Sequence, residues 1–350
     1  MTIAVTGATG FVGGVVVPLL VEQGHRVRAL VRSPGGVREA GFAGAALDAA
    51  APSETARTTA VEIVVGDLLW KESLAELVRG ADVVIHLAAA ITVGDTFNAG
   101  AYRVNSEGTR LLLEAARAAG VRRFVLVSSV VVFEQAPYDQ VLDEGRRLAT
   151  ESAYDYERSK LAAHTMALEY NTPGFEVVVL APTAVVGPYD GRPSRIGEMV
   201  INLYKGRVPA IFPGGIDFVD VRDVAAAVAA ACRLGQPGKV YLLSGGWRSL
   251  AELRDAVAAV KGGRVWGPEA PLWLVRCAVP LVKVFSAVTG RLRYFNRAAI
   301  DKLVYSNRHV DSSRARAELG FFSRPFEETI RDTVAWFCQE GAIKIYRDKP

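Results

Sequence analysis

The sequence predicts an α/β fold, a doubly wound parallel sheet joined to a smaller, mostly helical lobe, and three observations point to it. Short apolar runs alternate with helical patterns from the first residues to about residue 245. The first run, Thr2 to Thr6, leads into Gly7, Gly10 and Gly13 at a three-residue beat and then into an apolar helix. Past residue 245 the alternation gives way to helical stretches and aromatic residues. At 350 residues the chain exceeds a typical single domain. Insertions must hang off the carboxyl ends of parallel strands. The sheet domain is therefore expected over 1–186 and 214–245, and the lobe over 187–213 and 246–350.

Half of the residues are hydrophobic, enough for a large core, and the net charge of +4 comes from scattered Arg and Lys. No basic run exceeds a pair such as Arg122-Arg123 or Arg146-Arg147, which argues against a nucleic-acid partner. Cys232, Cys277 and Cys338 form an odd set with no metal spacing, as expected of buried thiols in a reducing compartment and of a protein without a metal site. No basic, apolar leader precedes a strand that starts at residue two, so a cytoplasmic location is expected.

Taken in order, Gly7 permits a sharp turn after the first strand, Gly10 leaves no Cβ between backbone and a pyrophosphate, and Gly13 lets helix and strand pack closely. The helix, about Phe11 to Gln23, offers its N-terminus to the phosphates; Pro18 is expected to kink it. The second strand, Arg26 to Val31, ends at Arg32. A guanidinium there suits a ribose 2′-phosphate, whereas Asp or Glu would suit a 2′-hydroxyl. Arg32 thus tilts the cofactor toward NADP(H), with NAD and a merely solvated Arg32 as the alternatives.

Gly35 to Thr59 reads as a weak helix and a surface loop. The strand Val61 to Val65 delivers Asp67, which either meets the adenine amino group or caps the helix starting near Lys71. Ala81 to Leu87 is a fourth strand, followed by small residues Ala88 to Ala90 beside which a flat ligand can lie. His86, within the apolar run, reads as a packed core histidine. A helix over Val104 to Ala119 precedes the strand Arg123 to Val127 and Ser128-Ser129. Tyr156 and Lys160 then share one face of a helix. Ala226 to Ala231 continues a helix from Asp223, Lys239 to Leu243 is a returning strand, and Leu250 to Val260 and Phe326 to Phe337 are helices.

These residues resemble the extended short-chain dehydrogenase/reductase superfamily, also called the NAD(P)-dependent epimerase/dehydratase superfamily. TGATGFVG is similar to its cofactor loop, HLAA to its fourth-strand motif, and VNSEGTRLLLEAARAAGVRRFVLVSS to its helix and fifth strand. Tyr156-x-x-Ser159-Lys160 resembles its YxxxK site, LAPTAVVGP its sixth-strand turn, and DFVDVRDVA a segment at its substrate pocket. Residues beyond 245 look more loosely like the 3β-hydroxysteroid dehydrogenase and dihydroflavonol-reductase branch. The resemblance implies a Rossmann fold with Gly7, Thr9, Gly10, Phe11, Val12 and Gly13 at the pyrophosphate and Arg32 at the ribose. It implies Asp67 and Leu68 at adenine, Ala88 and Ala89 along the cofactor, and Pro182 and Thr183 at the nicotinamide. Ser129, Tyr156 and Lys160 become the catalytic set, with Tyr156 and Lys160 also on the cofactor. Ala181 departs from the Arg usual before the sixth-strand Pro. Val130 to Val132 stand where sugar-nucleotide dehydratases carry an acidic pair, which speaks against dehydration.

Hydride transfer at a carbinol carbon needs a proton moved at its oxygen, and a phenol near pKa 10 needs help to do this at neutral pH. Lys160 is expected to lower the Tyr156 pKa and hold the ribose, and Ser129 to fix the substrate oxygen. Trp266, Trp273, Phe285, Tyr294 and Phe295 are expected to cover a hydrophobic or ring-containing substrate, with Arg192, Arg195 and Arg222 left for phosphate contacts. The apolar stretch Pro271 to Gly290 carries Arg276 and Lys283 and is broken by Pro280. It reads as a helix over the pocket, with peripheral membrane contact through 271–290 or a homodimer contact as alternatives. The expected activity is NADP(H)-dependent interconversion of a carbonyl and a secondary alcohol. The alternatives are an NAD-dependent nucleotide-sugar epimerase and a non-catalytic redox sensor.

Overall fold

The computed structural model describes residues 1–33, 60–90, 98–150, 155–289 and 297–343. In chain order the strands are β1 (Thr2–Thr6), β2 (Arg26–Val31), β3 (Val61–Val65), β4 (Val83–His86), β5 (Arg123–Val127), β6 (Glu176–Pro182), β7 (Ala184–Val186), β8 (Gly215–Asp220), β9 (Val240–Leu243) and β10 (Trp247–Ser249). The helices are α1 (Phe11–Glu22), α2 (Lys71–Val78), α3 (Ala99–Ala118), α4 (Asp155–Glu169), α5 (Arg195–Tyr204), α6 (Val221–Ala231), α7 (Leu250–Lys261), α8 (Leu272–Thr289), α9 (Arg297–Val304), α10 (Ser313–Leu319) and α11 (Phe326–Gln339).

Seven strands form one parallel sheet in the order β3-β2-β1-β4-β5-β6-β9. The period-2 geometry of a strand sorts its residues between two cores. Ile3, Val5, Val83, Ile85, Val125 and Val178 face one core with Val16 and Leu20 of α1 and Val224 and Val228 of α6. Ala4, Val84, Phe124, Leu126, Val177 and Val179 face the other with Leu74 and Leu77 of α2 and Leu112 of α3. Each fully buried aliphatic side chain contributes about 1.5–3 kcal/mol, so both faces hold the sheet. The strand order reverses between β2 and β4 around β1, and an α/β sheet binds ligands in the crevice outside such a point.

A third core joins Val186 and Phe218 to Val200 and Leu203 of α5, Leu253 and Val257 of α7, Val275 and Val279 of α8, and Ile330 and Phe337 of α11. The smaller lobe is mostly helical, as read, and beside it a three-stranded sheet, β10-β8-β7, takes β7 and β8 from 1–186 and 214–245 and β10 from the lobe. Two of its strands have three residues each, too few for a periodic signal.

Several local expectations change. α3 starts before Val104 because the Asn98 side chain caps it, accepting from the Ala101 N–H at 3.0 Å. β4 is shorter than Ala81 to Leu87. Asp67 does not cap α2, whose N-cap is Trp70; it accepts from the Leu69 N–H at 3.0 Å and shapes the preceding turn. α8 continues through Pro280. Pro280 is exposed, so the carbonyl that loses its partner can turn to water. The weak helix expected within 35–59 lies outside the described residues. Among the described residues no helix is long and apolar enough to cross a membrane and no cluster of metal-ligating side chains occurs; the three cysteines are free thiols, but only Cys232 is buried as expected, Cys338 being half-buried and Cys277 exposed on α8.

Candidate active site

The glycine turn is shaped by contacts that no side chain could share. Gly7 has φ +72°, and a Cβ there would stand 2.5 Å from the Ala88 nitrogen. A Cβ on Gly13 would stand 2.2 Å from the Gly7 carbonyl oxygen. Gly10 differs: the nearest protein atom to its Cβ would be the Gly7 carbonyl oxygen at 3.2 Å, a tight contact that a shift of a few tenths of an ångström relieves. Gly10 is also the N-cap of α1 and brings no capping side chain, and the first turn carries no acid. The helix end is thereby left to an anion.

A cleft of about 310 Å³ opens over this turn. Of the residues expected at the cofactor, Gly7, Thr9, Gly10, Arg32, Asp67, Leu68, Ala88 and Ala89 line it. Phe11, Val12, Gly13, Tyr156, Lys160, Pro182 and Thr183 lie outside that lining. Leu30, Val31, Gly66, Leu87, Ala90, Val104 and Arg192 complete it. Most of these were within reach of the sequence, since they directly flank the strand ends; Val104 and Arg192 come from a helix and a loop that the chain brings to the cleft from further away. Small residues on three sides and an unfilled helix end suit a dinucleotide pyrophosphate.

Beside the cleft, α4 packs on α3 and brings Tyr156, Ser159 and Lys160 to the carboxyl end of β5. The Lys160 ammonium donates to the carbonyl of Val127, the last residue of that strand, at 3.0 Å. Burial lowers its pKa to about 8. Tyr156 is pushed up to about 12 by burial, opposed by the Arg195 guanidinium and reinforced by Glu157. Arg195, from α5 of the lobe, thus adds a positive charge on the Tyr156 side of the site, beside the ammonium of Lys160 on the same helix as the phenol. Ser129 caps the short 3-10 turn Val130–Val132, accepting from the Val131 N–H at 3.4 Å. Ser128 is buried and pairs with His164 Nδ1 at 3.0 Å, which leaves Ser129 as the more accessible of the two hydroxyls.

A buried polar chain ties the glycine turn to α4. His86 contacts Thr6 Oγ1 at 2.6 Å and Thr109 Oγ1 at 2.9 Å. Thr109 donates to the Asn105 carbonyl at 2.6 Å, and Asn105 Nδ2 donates to Ser159 Oγ at 2.9 Å and to the Ala90 carbonyl at 3.0 Å. Ser159 in turn donates to the Tyr156 carbonyl at 2.8 Å. His86 is thus a core histidine, as read, with burial lowering its pKa to about 3.

The lobe side departs further from expectation. Trp266 and Trp273 are 59% and 66% exposed and do not roof the cleft; Tyr294 and Phe295 fall outside the described residues, and the side chain of Phe285 is undescribed. Arg222 is not left for a phosphate, because Asp220 and Asp332 engage its guanidinium at 2.8 and 2.7 Å. Arg324 is likewise engaged by Asp223 at 2.7 Å. Half-buried Ala184, Ile196, Met199 and Ile216 of β7, α5 and β8 pack against the core of the lobe.

The profile of the NAD dependent epimerase/dehydratase family matches residues 3–244. "Sterol demethylase protein B" of Methylococcus capsulatus is 33% identical over 98% of this chain and 100% of its own length. A "Putative dihydroflavonol 4-reductase" of Synechocystis is 30% identical over 97% of this chain and 95% of its own. Among solved structures, MoeE5 in complex with UDP-glucose and NAD is 25% identical with a TM-score of 0.72, covering 97% of this chain and 99% of that one. Other solved neighbours also hold NAD. This corrects the NADP(H) preference read from Arg32. Arg32 is exposed at the rim of the cleft, and one guanidinium open to solvent does not exclude a ribose carrying a free 2′-hydroxyl.

Proposed function

Because the chain belongs to the NAD dependent epimerase/dehydratase family, we propose that it uses NAD(H) to interconvert a carbonyl and a secondary alcohol, with Tyr156 as general acid/base. The observation that supports this most is the placement of Lys160 against the last carbonyl of β5, which brings the Tyr156–Lys160 turn to the same sheet edge as the glycine turn of β1. In this reading 1–186 and 214–245 hold the cofactor, and 187–213 and 246–350 hold the substrate.

NAD supplies the hydride acceptor or donor. Gly7 and Gly10 admit the pyrophosphate at the N-terminus of α1, and Ala88 and Ala89 leave room for the flat rings. Ser129 holds the substrate oxygen. In the reducing direction the Tyr156 phenol gives that oxygen its proton, which suits a hydroxyl held protonated by burial; in the oxidising direction the same oxygen returns the proton to Tyr156. The ammonium of Lys160 and the guanidinium of Arg195 stabilise the phenolate left behind.

Two substrate classes compete. The solved structures with bound sugar nucleotides support a nucleotide-sugar epimerase, and support it more directly than they support a lipophilic substrate. The ion pairs favour the lipophilic reading: Arg222 and Arg324 are tied to carboxylates and so are not free donors for a diphosphate. The names of the two curated relatives agree with that reading. Supplying the protein with NADH and a panel of ring ketones, and separately with NAD and UDP-sugars, decides between them. Stoichiometric NADH consumption by a ketone establishes the lipophilic class, and UDP-sugar turnover without net cofactor change establishes the other. Intact turnover in Tyr156→Phe would remove the catalytic reading altogether.

A further inference from the structure

On the outer side of the lobe the turn after α5 meets the loop after α7. Lys261 at the end of α7 donates its ammonium to the Tyr204 carbonyl at 2.9 Å and lies 5.4 Å from the centre of the Tyr204 ring. A Cβ on Gly206 would stand 3.9 Å from the Trp266 Cβ. These contacts gather Lys205, Arg207, Lys261 and Arg264, all exposed, around an indole that is itself 59% exposed.

The cations are not balanced locally. The carboxylates on the same stretch of chain, Asp255 and Glu269, are both engaged by Arg254, at 2.8 and 3.8 Å. Among the described residues no ion pair joins any of the four cations to a carboxylate. Arg207 is close enough to Lys205 to add to the lowering of its pKa that burial chiefly causes. From Trp266 the chain runs along Ile211, through Ile211 N–H to the Pro268 carbonyl at 3.0 Å and Ala270 N–H to the Ile211 carbonyl at 2.8 Å. It then enters α8, whose outward face carries Trp273, Leu274 and Pro280, all exposed.

We propose that this face docks on an anionic lipid surface, with Lys205, Arg207, Lys261 and Arg264 at the headgroups and Trp266 at the level between headgroups and acyl chains. A tryptophan is amphipathic and settles at that level. Each Lys or Arg near an anionic leaflet adds a favourable increment that salt screens. A nucleic acid would use the cations but leave Leu274 and Pro280 in water, and an aqueous acidic partner gives no reason for the exposed indoles. Docking of this kind lays the protein on a membrane without crossing it. The proposal does not depend on which carbonyl substrate the cleft takes.

The test uses the full chain with NADH bound and vesicles of phosphatidylcholine alone or mixed with phosphatidylglycerol. Co-sedimentation is expected with the anionic vesicles only, and weakening with added salt. The combined variant Lys205→Gln, Arg207→Gln, Lys261→Gln, Arg264→Gln is expected to bind at least about tenfold more weakly, with NADH binding and melting temperature unchanged. Brominated lipid should quench an emission component that Trp266→Phe lacks. Equal binding to neutral and anionic vesicles, no binding to either, unchanged binding by the combined variant, or tighter binding to a DNA duplex than to anionic vesicles overturns the proposal.

Discussion

The tautomer of His86 follows from its neighbours. Thr109 spends its only hydrogen on the Asn105 carbonyl, so His86 Nε2 must be the donor to Thr109 Oγ1 and Nδ1 must accept from Thr6. Every donor along the path from β1 to the Tyr156 turn is then directed the same way, and the ring stays neutral. Nitrogen NMR of His86 should show a protonated Nε2 and a bare Nδ1; the opposite tautomer would break the chain as drawn. Thr109→Val removes the acceptor and leaves a buried N–H unpaired, which should cost about 1–3 kcal/mol in denaturant unfolding. A loss within a few tenths would show the ring to be solvated. With Tyr156 as the proposed general acid/base, Tyr156→Phe should lower turnover by about 10²–10⁴-fold while NADH still binds.

The first turn of α1 separates two roles that the sequence presents as one glycine pattern. Gly13→Ala forces a methyl onto the Gly7 carbonyl, so it should lower the melting temperature and NADH affinity together. Gly10→Ala meets no protein atom closer than 3.2 Å and, with that contact relieved, intrudes where a phosphate would lie. It should abolish NADH binding, read by NADH fluorescence, with the melting temperature unchanged; a matched loss of stability would mean the turn itself, and not a ligand, requires that glycine. The glycines and the parallel strands are legible because they are local: one strand, one turn and one helix carry the whole pattern. The charge of Arg195 acting on Tyr156 is not, since β6 and β7 separate the two helices in the chain. The three-residue strands β7 and β10 carry no period, and the exposure of Trp266 depends on where the lobe helices come to rest. Aromatic content alone could not tell a pocket roof from an outer face.

At the scale of the molecule, stability against pH sums groups from the sheet domain and the lobe that pull in opposite directions. His86 and His164 have pKa values lowered to about 3 and about 4 by burial, with the charge of Lys160 adding to the effect. Their contribution is fully present above the unfolded value of 6.5 and is lost as pH falls toward those values, because the unfolded chain takes up the protons first. Asp190, between β7 and α5, runs the other way. Burial raises its pKa to about 6, against hydrogen bonding from Ser194; its Oδ2 accepts the Ser194 N–H at 2.7 Å while Oδ1 is buried without a partner. A raised carboxyl pKa means that the fold favours the protonated form, so its contribution is present below the unfolded value of 3.8 and lost as pH rises through about 6. Asp190→Asn keeps an oxygen for Ser194 and removes the buried charge. Measured by denaturant unfolding, the variant should gain stability relative to the parent as pH rises from 4.5 to about 6, most steeply near pH 5, and keep a constant advantage from there to 7.5. A difference between the two proteins that stays constant from pH 4.5 upward would show that Asp190 is ionised throughout, and that the lobe interior around α5 solvates a carboxylate better than its burial implies.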